Sequence, residues 1–228
     1  KTVKCLCDAL GIWCMIALSG NNPEKGIKYR HTWNIVRIGK SYYHLDATFD
    51  NSLGRNYSHA SNIASDSGNA GATHGDIAQH PIPGNKKSGK KGSASTRIRY
   101  DYFNLDDKQI FRDHEPLIAP APACTDSAHS YYKEKKLSFA KTEDVYRRAL
   151  QAAKKEKPLT FHWKGGYLTR SVLDELLAQI AKAGTERQKM PCISLNWPQA
   201  VLHVEYVVNP QQSAIVMEQA NEGEETDI

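Results

Sequence analysis

A chain of 228 residues, 40% of them hydrophobic, is long enough to bury a substantial core as one large or two small domains. Its net charge of +5 comes mostly from a lysine-rich stretch with no interleaved aromatic residues, which argues against a nucleic-acid partner, and no apolar run approaches the span of a bilayer. Five cysteines, an odd number without regular spacing, give neither a disulfide framework nor a CxxC metal pattern.

In chain order, the first element is a short helix whose stripe Val3, Leu6, Cys7 and Leu10 ends at Gly11. The apolar run Trp13 to Leu18, with Cys14 inside it, reads as a buried strand. Residues 33 to 49 read as two strands rich in Val, Ile, Tyr, Phe and Thr, turning at Gly39-Lys40, a pair that suits a two-residue hairpin loop with glycine first. That turn sets Ile38 against Ser41, Val36 against Tyr43 and Trp33 against Asp46. His31 then shares a face with Asp46, one diagonal step away at roughly 7 to 8 Å between backbones. The opposite face collects Val36, Ile38, Tyr43, Leu45 and Phe49 as core, which leaves His31, Trp33, His44, Asp46 and Thr48 on the other. A three-residue loop would slip the register by one and separate His31 from Asp46.

Such a pair has a specific chemical use. A thiol attacks a carbonyl as its thiolate, so it needs a base to take its proton and a carboxylate to fix the tautomer and orientation of that base. Ordinary hairpin hydrogen bonding is the plainer reading of the same two residues.

Residues 55 to 97 are rich in Gly, Ser, Ala, Asn and His and end in Lys86, Lys87, Lys90 and Lys91. This composition cannot bury enough surface to offset its ordering entropy and reads as a flexible insertion. His59, His74 and His80 are too scattered within it to mark a metal site. From 129 to 208 a small α+β unit is expected. Thr142 caps a helix to about Lys155, Pro158 to Trp163 forms a strand, and Gly165-Gly166 turns the chain. Thr169 caps a second helix with the stripe Val172, Leu173, Leu176, Leu177 and Ile180, which Gly184 ends. Two strands, Cys192 to Asn196 and Ala200 to Val208, flank Trp197-Pro198, and residues 209 to 228 form a polar acidic tail. Trp163, Tyr167 and Trp197 read as core or interface rather than as a ligand surface.

Three segments together resemble the transglutaminase-like (papain-like cysteine peptidase) superfamily in its bacterial form. They carry Asp8-Ala9-Leu10-Gly11-Ile12 as a helix end before an apolar strand, then His31-Thr32-Trp33-Asn34 and His44-Leu45-Asp46-Ala47-Thr48, and Tyr102-Phe103-Asn104-Leu105 in the segment that ends at His114. The resemblance covers about the first half of the chain. It implies an α+β fold in which a helix packs on an antiparallel sheet, built from residues 1–54 and 98–128. It also implies His31 as catalytic base, Asp46 as orienting acid and Trp33 as a substrate contact, with a peptide or protein substrate and no cofactor. The chemistry implied is thiolate attack, an acyl-enzyme, and release to water or to an amine, with hydrolysis favoured. In that family the nucleophile is a glycine-preceded cysteine that opens the helix, at a position upstream of Lys1. Cys5 has only about one and a half helical turns after it, Cys7 lies on the helix stripe, and Cys14, Cys124 and Cys192 read as packed or incidental thiols. As written, the chain is expected to be inert. A non-catalytic module of the same fold is the competing class.

Overall fold

This computed structural model describes residues 1–20, 31–60 and 98–208. The expected acidic tail and nearly all of the expected insertion lie outside them, as do His74, His80 and the lysine cluster. Helix α1 (Thr2–Ala9) is followed by the cap Leu10 and by Gly11, whose φ of +69° favours glycine. Strand β1 (Cys14–Leu18) follows and pairs antiparallel with β2 (Thr32–Ile38). Gly39, at φ +60°, opens the two-residue turn into β3 (Ser41–Leu45), and the ladder sets Ile38 opposite Ser41, Val36 opposite Tyr43 and Asn34 opposite Leu45. The register is therefore the one the Gly39-Lys40 turn predicts.

Three expectations for this region are corrected. The β3 strand stops at Leu45, and helix α2 (Ala47–Ala60) begins where a continuing strand was expected. Pairing with β4 (Phe103–Leu105) becomes irregular at His44 and Leu45, and the Asp46 amide is taken by the carbonyl of Tyr102 at 3.0 Å, so no ladder remains to carry Thr48 and Phe49. Both faces of the hairpin are covered: Val36 and Tyr43 are buried on one side, and Trp33, Ile35, His44 and Asp46 on the other. The sheet order β1-β2-β3-β4 also makes β1 an edge strand that buries Cys14 and Ala17 but exposes Ile16. On α1, Leu6 and Leu10 are exposed, and it is Cys7 that packs with Ile38 against Cys14, Val36 and Tyr43.

The second face of the hairpin is covered by α3 (Asp107–Ile110) and the residues after it. A capping box between Asp106 and Gln109 opens this short helix, and Ile110 is fully buried. After α4 (Tyr131–Glu134), a second sheet runs in the order β5-β6-β8-β7, formed by β5 (Ser138–Phe139), β6 (Leu159–Trp163), β7 (Lys189–Asn196) and β8 (Val201–Val208). Helices α5 (Thr142–Lys155) and α6 (Arg170–Thr185) pack with this sheet around Val145, Ala149, Phe161, Leu176, Ile180 and Leu202. Overall the fold is α+β, as the sequence predicts.

Here too the expected elements need small corrections. Strand β5, parallel to β6, is missed because two residues carry no periodicity. Lys141, not Thr142, occupies the N-cap of α5, and the Thr142 hydroxyl instead donates to Glu175 at 2.8 Å. Gly184 does not end α6. A Cβ there would lie 2.6 Å from the Lys189 carbonyl, so the glycine serves close packing inside the last turn. Thr169 does cap α6, accepting from the Val172 amide at 3.3 Å.

Backbone contacts divide the chain into two compact units, of which the larger takes in both sheets and the smaller begins at Thr48. Within the larger unit Asp101 ties the sheets together, accepting from the Tyr132 hydroxyl at 2.7 Å and from the Asn196 amide at 2.9 Å. Among the described residues no helix is long and apolar enough to cross a membrane. Because Phe161 is fully buried at the centre of the second core, Phe161→Ala is expected to cost about 3–5 kcal/mol in urea denaturation. Tyr167→Ala, at a position 94% exposed, should change stability by no more than about 0.5 kcal/mol.

Candidate active site

Asp46 is the first residue past β3 and only 1% exposed. A carboxylate this far from water needs donors arranged around it. Two histidines supply them: His31 and His114 both direct Nε2 at Asp46 Oδ2, the latter at 3.0 Å. His31 stands just before β2, where its amide donates to the Ser19 hydroxyl at 2.8 Å and its carbonyl accepts from the Ser19 amide at 2.9 Å. The edge strand therefore clamps the histidine from the side opposite the hairpin turn.

His114 follows α3, with its amide bonded to the Ile110 carbonyl at 3.1 Å. Its second nitrogen, Nδ1, donates to Asp113 Oδ1 at 2.8 Å. Asp113 is in turn held by the Tyr102 hydroxyl and by the side-chain amide of Gln199 at 3.3 Å. Burial alone would drive the His114 pKa down, but hydrogen bonds and charge from Asp113 and Asp46 outweigh it and raise the value above 6.5. Desolvation, reinforced by the Asp113 carboxylate, pushes the Tyr102 phenol far up, so it acts as a neutral donor.

A second chain of bonds runs beneath the first. The Trp33 indole stacks on His31 with ring centres 5.8 Å apart and meets His114 edge-on at 5.0 Å. Its N–H donates to His44 Nδ1 at 2.8 Å, which assigns the proton of a neutral His44 to Nε2, facing Asp107 Oδ1 at 2.8 Å. Asp107 Oδ2 then accepts from the Cys124 amide at 3.0 Å. His44 is fully buried, and desolvation lowers its pKa despite the pull of Asp107.

The structure thus brings His31 and Asp46 together. Trp33, read from the sequence as a substrate contact, is 3% exposed, with its indole N–H committed to His44 and its face against His31. Its ring is therefore packed within the cluster, between His31 and His44. His114, Asp113, Tyr102 and Asp107 are the participants that sequence reasoning missed; the segment containing them was noted only for its wording.

Among the thiols, burial holds Cys14 up at about 11 and Cys124 up at about 12, so both are protonated at neutral pH. Cys5 and Cys192 are exposed, and Cys7 lies half-buried against the first core. The remaining chemistry is that of imidazole. With the His31 Nε2–H given to Asp46, a neutral ring carries its lone pair at Nδ1, an arrangement fit for a general base or a metal ligand. The fold and site together define an α+β protein with a buried carboxylate shared by two histidines. No protein-family model and no curated protein matches the chain.

The opposed shifts of His44 and His114 can be tested directly. Asp113→Asn removes the charge that most raises His114, so its pKa should fall in an NMR titration, while His44 remains neutral through the same range. The stability that His114 contributes is fully present below its unfolded value of about 6.5 and is lost as pH rises through its higher folded value. In Asp113→Asn that loss of stability should move to lower pH.

Proposed function

We propose that His31 and Asp46 are the base and orienting acid of a thiol-dependent acyl-transfer centre acting on peptide or protein amide bonds, in a domain of the transglutaminase-like class. The observation that carries this reading is the bond from His31 Nε2 to a carboxylate that is almost completely buried, since it assigns the basic lone pair to Nδ1. In the family that the motifs resemble, the nucleophilic cysteine precedes the position of Lys1; the protonated state of Cys14 and Cys124 sets them aside as nucleophiles.

In this mechanism the thiol proton passes to His31 Nδ1 as sulfur attacks the amide carbonyl. Asp46 stabilises the imidazolium that forms without itself taking the proton. The imidazolium returns its proton to the departing amine, leaving a thioester that water or a second amine then releases. Trp33 holds the imidazole plane by stacking, and its N–H to His44 holds Trp33. Hydrolysis is the favoured outcome, with a peptidase as the working description.

The check is amide turnover, together with labelling by a thiol-directed peptidyl warhead, in the protein extended upstream of Lys1 through the Gly-x-Cys position. His31→Ala should lower both rates by about 10²–10⁴. Asp46→Asn, which no longer fixes the tautomer, should lower turnover by up to about 10⁴. Labelling of His31→Ala at the wild-type rate would remove His31 from the mechanism. Peptide binding without turnover would assign the fold to a non-catalytic module.

A further inference from the structure

The shared carboxylate has a second consequence, because the three groups that meet there are also a ligand set. One ligand atom each from His31, Asp46 and His114 lies within 4.8 Å of the other two, and both histidines turn Nε2 toward Asp46 Oδ2. We propose that these three atoms bind a divalent transition-metal ion of the zinc type, and that the bound ion switches His31 off as a base.

The donor set chooses the ion. Two imidazole nitrogens and one carboxylate suit zinc and its first-row neighbours, whereas calcium and magnesium take oxygen ligands. Ligands about 2.0–2.2 Å from a tetrahedral ion sit roughly 3.3–3.5 Å apart. His114 Nε2, at 3.0 Å from Asp46 Oδ2, needs to withdraw by only about half an ångström. The outer support for such a site is already in place. His114 gives its other nitrogen to Asp113, and Asp113 is fixed by Tyr102 and Gln199, the carboxylate–histidine arrangement that orients metal-bound imidazoles. The His31 side chain, 26% exposed beside two partners at 1%, leaves a route of entry.

A second cluster, His44, Asp107 and Cys124, also gathers three ligand atoms but does not qualify. The Trp33 N–H occupies His44 Nδ1, so the nitrogen facing that cluster carries the proton, and the Cys124 thiol is held up at about 12. At the first cluster the protons have somewhere to go. On His114 the ion replaces the Nε2 proton, which leaves to solvent, while Nδ1–H stays on Asp113. On His31 the ion takes the Nε2 lone pair and the ring proton moves to Nδ1, the nitrogen that must accept the thiol proton in the acyl-transfer reading. The inhibitory half of the proposal rests on that reading; the binding half does not.

The test uses the chain itself with ZnCl₂, followed by isothermal titration calorimetry, and with CoCl₂, whose visible absorption reports coordination. One ion per chain should bind saturably, excess Mg²⁺ should not compete, and tetrahedral cobalt bands should appear. Asp113→Asn should weaken binding by about 10–100-fold. His114→Ala, shown to be folded by circular dichroism, should lose the site. In the wild-type chain, long-range ¹⁵N–¹H spectra should show the His31 proton moving from Nε2 to Nδ1 as zinc is added, and returning on addition of a chelator. Absence of one-to-one binding, or equal affinity in folded His114→Ala, would overturn the site. Binding without the tautomer change would overturn the switch. Neither result depends on amide turnover, so failure of the acyl-transfer reading is recognised separately.

Discussion

The site is organised around one desolvated negative charge. Asp46 stands where a strand gives way to a helix, and burying it there demands compensation that water cannot supply. His31 and His114 reach it from opposite ends of the surrounding segment of chain, one ahead of β2 and the other beyond α3. Removing His114 would leave the carboxylate undercompensated, a change that costs about 3–5 kcal/mol when a buried ionic pair loses one partner. The cluster is therefore a constraint on folding as well as a source of chemistry. Strand, helix and loop must arrive together for the charge to be tolerated.

His44 and His114, both buried, show how environment divides one residue type into two roles. His44 has one carboxylate on one nitrogen and an indole N–H on the other, and desolvation prevails, so the ring is neutral and its tautomer fixed. His114 lies between two carboxylates, and their combined pull prevails over the same penalty, so its pKa is raised. Trp33 joins the two systems, with its face on His31 and its N–H on His44. Polar groups buried to this degree keep their geometry only when each is satisfied, and here each bond also determines the proton position of the next ring.

Local chemistry made the hairpin legible in the sequence. Gly39 in the left-handed region selects a two-residue turn, and from it the register and the approach of His31 to Asp46 follow by counting. The helices of the second sheet were legible for a similar reason, since α6 repeats its apolar residues on a helical period and begins at a threonine that caps it. What stayed hidden depends on distance along the chain. His114 lies 68 residues beyond Asp46, and nothing in the string Arg112-Asp113-His114 announces that it will fold over the hairpin. The covering layer is equally remote: α3 and the residues after it, more than 60 positions on, bury the hairpin face that carries Trp33, His44 and Asp46. Gly184 was misread because a glycine near a helix end has two uses, ending the helix or letting a neighbouring carbonyl approach, and only the packed structure separates them.

Register joins these observations into one argument about precision. His31 is fixed from both sides: through the hairpin ladder from Gly39, and through paired bonds to Ser19, the residue after the edge strand. Asp46 is fixed by the same ladder, by its amide on Tyr102, and by His114 through its side chain. Tyr102 enters twice, holding the backbone of Asp46 with its carbonyl and the carboxylate of Asp113 with its hydroxyl. A single residue of β4's approach thus couples the position of the shared carboxylate to the proton position on His114. Because a one-residue slip would carry every side chain of a strand to the other face, these anchors at both ends of the hairpin do more than add stability. They exclude the neighbouring registers in which His31 and Asp46 never meet.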